Sequence, residues 1–489
     1  MMKKLLSILL VVALAIGMLS ACATNTSSST DVAAPAETSA ASTSTTAAPE
    51  EKVVLKLGIY PADTDEAAIE AMEGVITRFN ETHPNVEVER AYYKYATDNI
   101  APMAEAGTLP TIFESWFTEP QKLIRAGYVR DITDLLEARG WLDLITPAIR
   151  SLLSDADGKV YGIPRDAYAL GLMCNVELFE EAGLTNPDGT IQYPKTWEEL
   201  AQTGKKIKDA TGSSGFVLLA GEDLGADGWH FSNIAWAYGA KLVTDNGDGT
   251  YTPNLNSKEV VDAMEMVKSL KWTYDILTPD PFSEGWATGF TQIGTGAAAM
   301  YIGANDAVEQ PTANNGLPVD KLSLVPIPAG PGGQYSLSGG TPYMFAANAT
   351  DAEVNAALDF LVAFGKAPVV DESTVESLRA QAATKLERGV PNIQRFPCWT
   401  SPEIQAAEDA VLAEYTNVNA NLYADYFAAV STAGNLHTEE PGDTQAMYKE
   451  LGKVIQAVLL DENSDVQALL DTAQANYIAI LQEEGILGK

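Results

Sequence analysis

Apolar and polar residues alternate through 53–60 (VVLKLGIY), the period of a half-buried strand. Helical spacing follows, with Ile69, Met72, Val75, Ile76 and Phe79 on one face of 66–82, and His83-Pro84-Asn85 ends the segment. Residues 86–92 return to a strand pattern. Strand, helix and strand in close succession make a βαβ unit, and therefore a parallel sheet. The pattern continues through a helix ending at Gly107, a short strand over 111–113 and a helix running toward Gly127.

The stretch 160–175 (VYGIPRDAYALGLMCN) joins two halves of the chain. A turn at Asp157-Gly158-Lys159 precedes it, Gly162 and Pro164 punctuate it, and 169–174 is apolar enough for a buried strand. The expectation is two short buried strands separated by a polar interruption at Arg165 and Asp166. That describes a crossing between sheets and a candidate hinge.

Beyond it, PKTWEEL at 194–200 starts a helix, with Thr196 as cap and Glu199 completing a capping box. Strands are expected over 216–220, 297–302, 322–328 and 343–347, with Gly330 to Gly333 turning between the last two. Helices are expected over 229–238 (amphipathic, ending at Gly239), 260–272, 354–364, and through most of the chain from 402, broken at Pro441-Gly442. DNGDGT at 245–250 suggests calcium, but it lacks the spacing and the acidic twelfth position of an EF-hand loop and reads as a hairpin turn.

At 489 residues the chain exceeds one ordinary core, so two lobes are expected. With 46% hydrophobic and 20% charged residues, both can fold without metal or disulfide support. Lys and Arg number 31 against 66 Asp and Glu, a net charge of −35 that disfavours nucleic acid as a partner. Cys174 and Cys398 sit in no spacing pattern and are expected to be free thiols.

The first residues speak to location. Lys3 and Lys4 precede an apolar run over 5–19, and Leu19-Ser20-Ala21-Cys22 resembles the lipobox of bacterial lipoproteins. That resemblance implies a signal peptide over 1–21, a lipidated Cys22, and anchoring to the extracytoplasmic face of a bacterial cell membrane. Residues 23–52 are mostly Ala, Ser, Thr and Pro and form an unstructured tether with ends roughly 30 Å apart on average.

Several short runs combine into a family pattern. They are GTLP at 107–110, AGYV at 126–129, GKVYGIP at 158–164, Asn175 followed by LFEEAGL at 178–184, PKTWEEL at 194–200, and GAAAM at 296–300. In this order they resemble the family 1 extracellular solute-binding proteins, the maltodextrin-binding-protein-like lipoproteins of ABC-type sugar importers. The resemblance covers 53 to about 400 and leaves the C-terminal helices unmatched. It implies a two-lobed α/β fold of the periplasmic-binding-protein type (type II), with lobes joined by hinge crossings near Arg165, 317–322 and 364–370. The lobes would be 53–165 with 322–367, and 166–321 with 368–489. The resemblance also implies a carbohydrate ligand, permease subunits as partners, a monomer, and no cofactor.

Sugars present flat C–H faces and a fringe of hydroxyls, so their sites use aromatic rings together with carboxylates, amides and Arg. Trp116 follows the strand over 111–113, at the sheet edge where open α/β folds place ligands, and Glu114 and Glu119 flank it as hydroxyl acceptors. The resemblance implies that Trp229 and Tyr168 contact ligand. Arg165 and Asp166 share the hinge stretch and read equally as a local ion pair. After Ala299-Met300 the family commonly carries Gly-x-Trp, whereas this chain reads YIGAND at 301–306. Asn305 and Asp306 therefore enter the site, with Asp306 in place of a ring. The change favours a shorter or more hydrogen-bonded glycan, or a cationic ligand, over a long stacked glucan. Trp286, Tyr343 and Trp399 are candidates for the missing ring, and each also reads as core packing.

Catalytic motifs are scarce. His83, His230 and His437 are far apart and none lies in HExxH, and neither a Walker A run nor a GxSxG elbow occurs. GTGAAA at 294–299 matches GxGxxA, but its strand follows rather than precedes it. The expectation is a receptor, not an enzyme, capturing an oligosaccharide. The alternatives are a receptor for a solute such as a polyamine, or a surface glycosidase, which would require a paired set of carboxylates.

Overall fold

The computed structural model describes residues 52–488 apart from 222–224 and 433. The signal peptide over 1–21, Cys22 and the tether up to residue 51 lie outside the described residues. Eleven strands occur among the described residues: β1 (Val53–Leu57), β2 (Val86–Arg90), β3 (Ile112–Glu114), β4 (Gly162–Asn175), β5 (Ser214–Val217), β6 (Val243–Asp245), β7 (Tyr251–Pro253), β8 (Ala298–Ala304), β9 (Leu322–Val325), β10 (Ser336–Phe345) and β11 (Leu436–Thr438). The helix Glu66–Thr82 joins β1 to β2, which pair in parallel, and β3 adds to β1 in parallel. Asp65 caps that helix, and Met72, Val75, Ile76 and Phe79 bury its apolar face.

The sheet runs β2-β1-β3-β10-β4-β8-β5, with β9 also on β4 and β11 also on β10. Its two long strands, β4 and β10, carry the chain between two hydrophobic cores. The first core holds Leu55, Phe79, Ile112, Phe113, Ile163, Tyr343 and Phe360, and the second holds Leu172, Trp197, Phe216, Trp236, Tyr301, Leu324 and Tyr426. Along β4, Ala167 belongs to the first core and Ala169 to the second; along β10, Leu337 belongs to the second and Tyr343 to the first. The fold is thus a two-lobed α/β architecture of mixed sheet and flanking helices.

Three local expectations are corrected. Residues 162–175 are one continuous strand, because β10 supplies ladder partners through the polar stretch. Asp166 pairs with Thr341 and Pro164 with Pro342, so Arg165 is the extra residue of a bulge. The two prolines lack donors and fit a place where the ladder is already irregular. Secondly, β9 pairs with β4 at 172–175, and Leu322, Leu324, Val325, Ile327 and Leu337 lie in the second core. The return to the first core therefore falls within β10, not near 317–322. Thirdly, residues 398–400 return to the first core: Thr146 N donates to Cys398 O at 3.1 Å, Thr400 N donates to Leu144 O at 2.7 Å, and Cys398 and Trp399 pack there. Cys174 lies in the second core, and the two thiols are free.

The helix Ala226–Ala237 was expected to be amphipathic, yet it is buried at every position except Ala226 and Trp229. The helix Thr444–Leu460 covers its other face. Gly228 lies against the backbone of Tyr448, where any Cβ would collide. The Glu440 carboxylate accepts from Trp236 Nε1 (2.7 Å) and Val243 N (3.2 Å), tying the C-terminal segment into the second core. Thr196 caps the helix Trp197–Thr211 as expected, but the Glu199 carboxylate accepts from Lys195 N rather than from the cap residue. At 245–250 the chain turns a β6–β7 hairpin, with the Asp245 and Asp248 carboxylates accepting from the turn's own backbone. The two cores are also linked away from the strands, where Lys122 meets Asp443 (2.8 Å) and Glu484 (3.3 Å) and Gln445 donates to Thr118 (3.2 Å). No helix among the described residues is long and apolar enough to cross a membrane.

Candidate functional site

The bulge at Arg165 sets the centre of the site. In a regular strand Arg165 and Asp166 would point to opposite faces, and the extra residue lets both line the same space. The Arg165 guanidinium contacts Glu114 at 2.9 Å and Asp166 at 2.6 Å, and Asp166 accepts from Thr341 N at 3.2 Å. Burial opposes the charge on Arg165, but the two carboxylates outweigh it and hold the guanidinium above its usual pKa. Two cavities open from this centre, and both include Arg165, Asp166 and Lys366.

The first cavity, about 700 Å³, lies on the first core and is aromatic. Tyr60, Tyr92, Tyr93, Tyr95, Trp116 and Tyr343 line it, with Glu114, Lys94 and Thr341. Tyr92 stands 56% exposed, far more than a packing role requires. Trp116 meets Tyr95 edge-on at 5.2 Å, and Tyr95 donates to Glu119 at 2.7 Å, which fixes the wall from behind. The Tyr343 hydroxyl is fully buried yet has no hydrogen-bond partner. Burial and the neighbouring Glu114 raise its pKa, so it stays protonated and retains a donor.

The second cavity, about 270 Å³, is charged. The segment after the helix Asp351–Ala363 contributes Lys366, the helix Glu372–Arg388 contributes Lys385, the loop that follows contributes Gln394, Arg395, Phe396 and Trp399, and Asn305 and Asp306 close it from the second core. Burial lowers the pKa of both lysines, and for Lys385 the nearby Arg395 adds to the effect. Solvent reaches the Asp306 carboxylate, yet the surrounding protein and the charge on Asp166 push its pKa up to about 7. Burial pushes the Cys398 thiol up to about 12, so it adds no charge.

The expected site residues divide between these surfaces. Glu114, Trp116, Arg165, Asp166 and Tyr343 meet in the aromatic cavity, and Arg165, Asp166, Asn305, Asp306 and Trp399 meet in the charged one. Asn305 is largely committed to structure, its oxygen accepting from Ala169 N (3.2 Å) and Tyr426 Oη (3.0 Å). Tyr168 and Trp229 line neither cavity. They meet edge-on at 6.1 Å, with Gly339 leaving room for the Tyr168 ring, and pack on the second core. The buried Glu439 accepts from Trp229 and Tyr448, and its pKa is pushed up to about 7, chiefly by burial. His230, also buried, is held down to about 3 and its Nε2 has no partner. Trp286 sits 39% exposed at the start of the helix Trp286–Gly294, against Phe290 and away from both cavities. Glu119 lies behind the wall rather than in it.

Sequence reasoning missed Tyr60, Tyr92, Tyr93, Lys366, Lys385 and Arg395. For the tyrosines a signal existed, since AYYKY at 91–95 follows β2 at the same sheet edge that singled out Trp116. Among the described residues no group of three or more His, Cys, Asp or Glu gathers as for a metal.

The family model described as bacterial extracellular solute-binding protein matches residues 63–367. A protein of Brucella abortus (strain 2308), carried under a provisional binding-protein name, is 31% identical over 209 residues, 42% of this chain and 47% of that one. An sn-glycerol-3-phosphate-binding periplasmic protein, UgpB of Yersinia enterocolitica, is 25% identical over 212 residues, 40% of this chain and 46% of its own. The chain thus spans about half the length of the curated relatives it matches. Among solved structures, maltose-bound MalE3 of T. maritima aligns over 87% of this chain and 98% of its own (TM-score 0.62, 17% identity). UgpB of Mycobacterium tuberculosis in complex with glycerophosphocholine aligns over 88% and 98% (TM-score 0.65, 16% identity). At such identities these likenesses speak for the fold.

Proposed function

The chain belongs to the bacterial extracellular solute-binding proteins, and from that membership we propose that it captures a carbohydrate, an oligosaccharide, in the cleft at Arg165 and delivers it to the permease of an ABC importer. The observation that carries this reading is the convergence of Tyr60, Tyr92, Tyr93 and Trp116 with Glu114, Arg165 and Asp166 where strands cross between two cores. Flat rings stack on sugar C–H faces, and the charged groups accept from and donate to hydroxyls. A crossing made of two strands lets the lobes close on the solute, and capture without chemistry keeps release reversible.

In the same reading Cys22 carries the lipid that holds the protein to the outer face of the membrane, and a monomer suffices for delivery. Trp229 and Tyr168 form a second aromatic pair behind the cleft, close to Asp166 and Asp306. The two names among the relatives, maltose and glycerol phosphate derivatives, are both polyols. An amine ligand is less favoured, because Asp306 shares its cavity with Lys366, Lys385 and Arg395. Glycosidase action is less favoured because Glu114 and Asp166 are both bound to Arg165, which suits neither to donate a proton.

Calorimetric titration of the purified protein against a panel of oligosaccharides and a few polyamines tests this. Saturable binding of a glycan, recovered intact afterwards, is expected. Binding of amines alone would overturn the carbohydrate assignment, and turnover of the glycan would overturn the receptor.

A further inference from the structure

We propose that the charged half of the cleft is a subsite for an anionic group on the solute, a carboxylate or a phosphate ester, held between the ammonium groups of Lys366 and Lys385 with Arg395 beside them. The inference rests on the reading of the cleft as a solute site and names the kind of solute it takes.

The chain is acidic, with 31 cationic residues against 66 anionic ones, yet four of its cations face one cavity of about 270 Å³. They come from separate segments. Arg165 is on the β4 bulge, Lys366 follows the helix Asp351–Ala363, Lys385 is in the last turn of the helix Glu372–Arg388, and Arg395 is in the loop beyond. Arg165 is occupied by Glu114 and Asp166. Arg395 contacts Gln381 at 3.0 Å and Glu408 at 3.6 Å. Among the described residues neither the Lys366 nor the Lys385 ammonium makes an ion pair or a hydrogen bond. Two half-buried ammonium groups lining one cavity are unfavourable alone and favourable around a shared anion.

The carboxylates of the same cavity do little to neutralise them. Asp166 is held by Arg165, Glu408 is raised by burial, and Asp306 is raised to about 7 by desolvation in the surrounding protein and by the charge on Asp166. Near the lysines Glu309 is drawn off by Arg388. A half-protonated Asp306 donates a hydrogen bond to an anion at mildly acidic pH and repels it when ionised. Phe396 and Trp399 add flat apolar wall for the ring that carries the charge. A solute built as a uronic acid or a sugar phosphate matches this combination; a neutral glycan leaves both lysines unsatisfied.

The test is calorimetry on the full chain with matched pairs: digalacturonate against galactobiose for the carboxylate, and glucose 6-phosphate against glucose for the phosphate. The result expected is at least ten-fold tighter binding of one anionic probe than of its neutral partner at low salt, with the advantage shrinking in 0.5 M NaCl. K385Q should cut that advantage several-fold, and K366Q/K385Q should abolish it, with a melting temperature no lower than the parent's. Equal or tighter binding of both neutral partners would overturn the proposal and leave the carbohydrate reading standing. An advantage that survives in K385Q and in the double variant would overturn the assignment to these lysines. Binding of no sugar of any kind, with binding of amines, would overturn both readings together.

Discussion

The two halves of the cleft share Arg165, Asp166 and Lys366 but are built by different means. The aromatic half comes from loops at the ends of parallel strands, each loop rigidly set by its strand: Tyr60 after β1, Tyr92 and Tyr93 after β2, Trp116 after β3. The cations particular to the charged half come from segments with no sheet behind them, namely the turn at Lys366, the helix bearing Lys385 and the loop through Arg395. The difference teaches a division of labour. A fixed wall supplies contact area that any sugar ring can use, and a set of convergent charges supplies discrimination, because desolvated charges without partners penalise the wrong solute.

The largest effect should come from the wall. Trp116→Ala should weaken every ligand the protein binds by about 30-fold, on the order of 2 kcal/mol for a well-packed aromatic contact, with the melting temperature lowered less than for a core substitution because the ring is only partly buried. Calorimetry with parallel thermal melts checks this, and a loss confined to anionic ligands would erase the distinction between the halves. Trp229→Ala makes the contrast sharper. That indole packs on the second core and donates to Glu439, so its removal should cost about 2–3 kcal/mol of stability as well as affinity.

A pH series addresses the buried carboxyl behind Trp229. Glu439 has a folded pKa of about 7, raised above an unfolded value near 4.3, so the fold prefers its neutral form. Stability should therefore be greatest below the unfolded value and decline as pH rises toward and past about 7, by at most about 4 kcal/mol. E439Q should flatten that decline and melt higher than the parent at pH 8. An unchanged profile would mean that Glu439 is ionised in the fold. The same direction governs Asp306: affinity for an anionic ligand should fall as pH rises from 6 to 8, since Asp306 ionises across that range.

The sheet-edge rule made the aromatic wall readable, because a strand's end is a local property of sequence and Trp116 lies directly after one. Applied to β2, the same rule reaches Tyr92 and Tyr93. The charged half was not readable in this way. Lys366, Lys385 and Arg395 sit at irregular spacings on three elements, so no periodicity in the sequence joins them. Continuity of β4 through Arg165 was hidden for a related reason, since a bulge is a property of two strands and β10 lies far along the chain. Trp229 was drawn in by likeness to a family position, and packing on Tyr168 decides where its ring lies.

The smallest effects should come from single groups. Tyr343→Phe removes a buried hydroxyl that has no partner, so the free protein should be unchanged or more stable by up to about 1 kcal/mol, while a ligand that uses the hydroxyl loses affinity. Trp286→Ala should leave affinity within about 0.5 kcal/mol, because the side chain lies outside the cleft, and lower stability modestly through the packing lost on Phe290.

Hydrogen–deuterium exchange with and without a saturating glycan tests the central claim most directly, because it locates the occupied surface without assuming which residues matter. Protection is expected over 59–61, 92–95, 114–116 and 165–166 on the first wall, joined by 365–366 and 394–399 when the ligand is anionic. Protection confined instead to the groove of about 580 Å³ beside Tyr193, Lys195 and Asp425, with the cleft unchanged, would contradict the account.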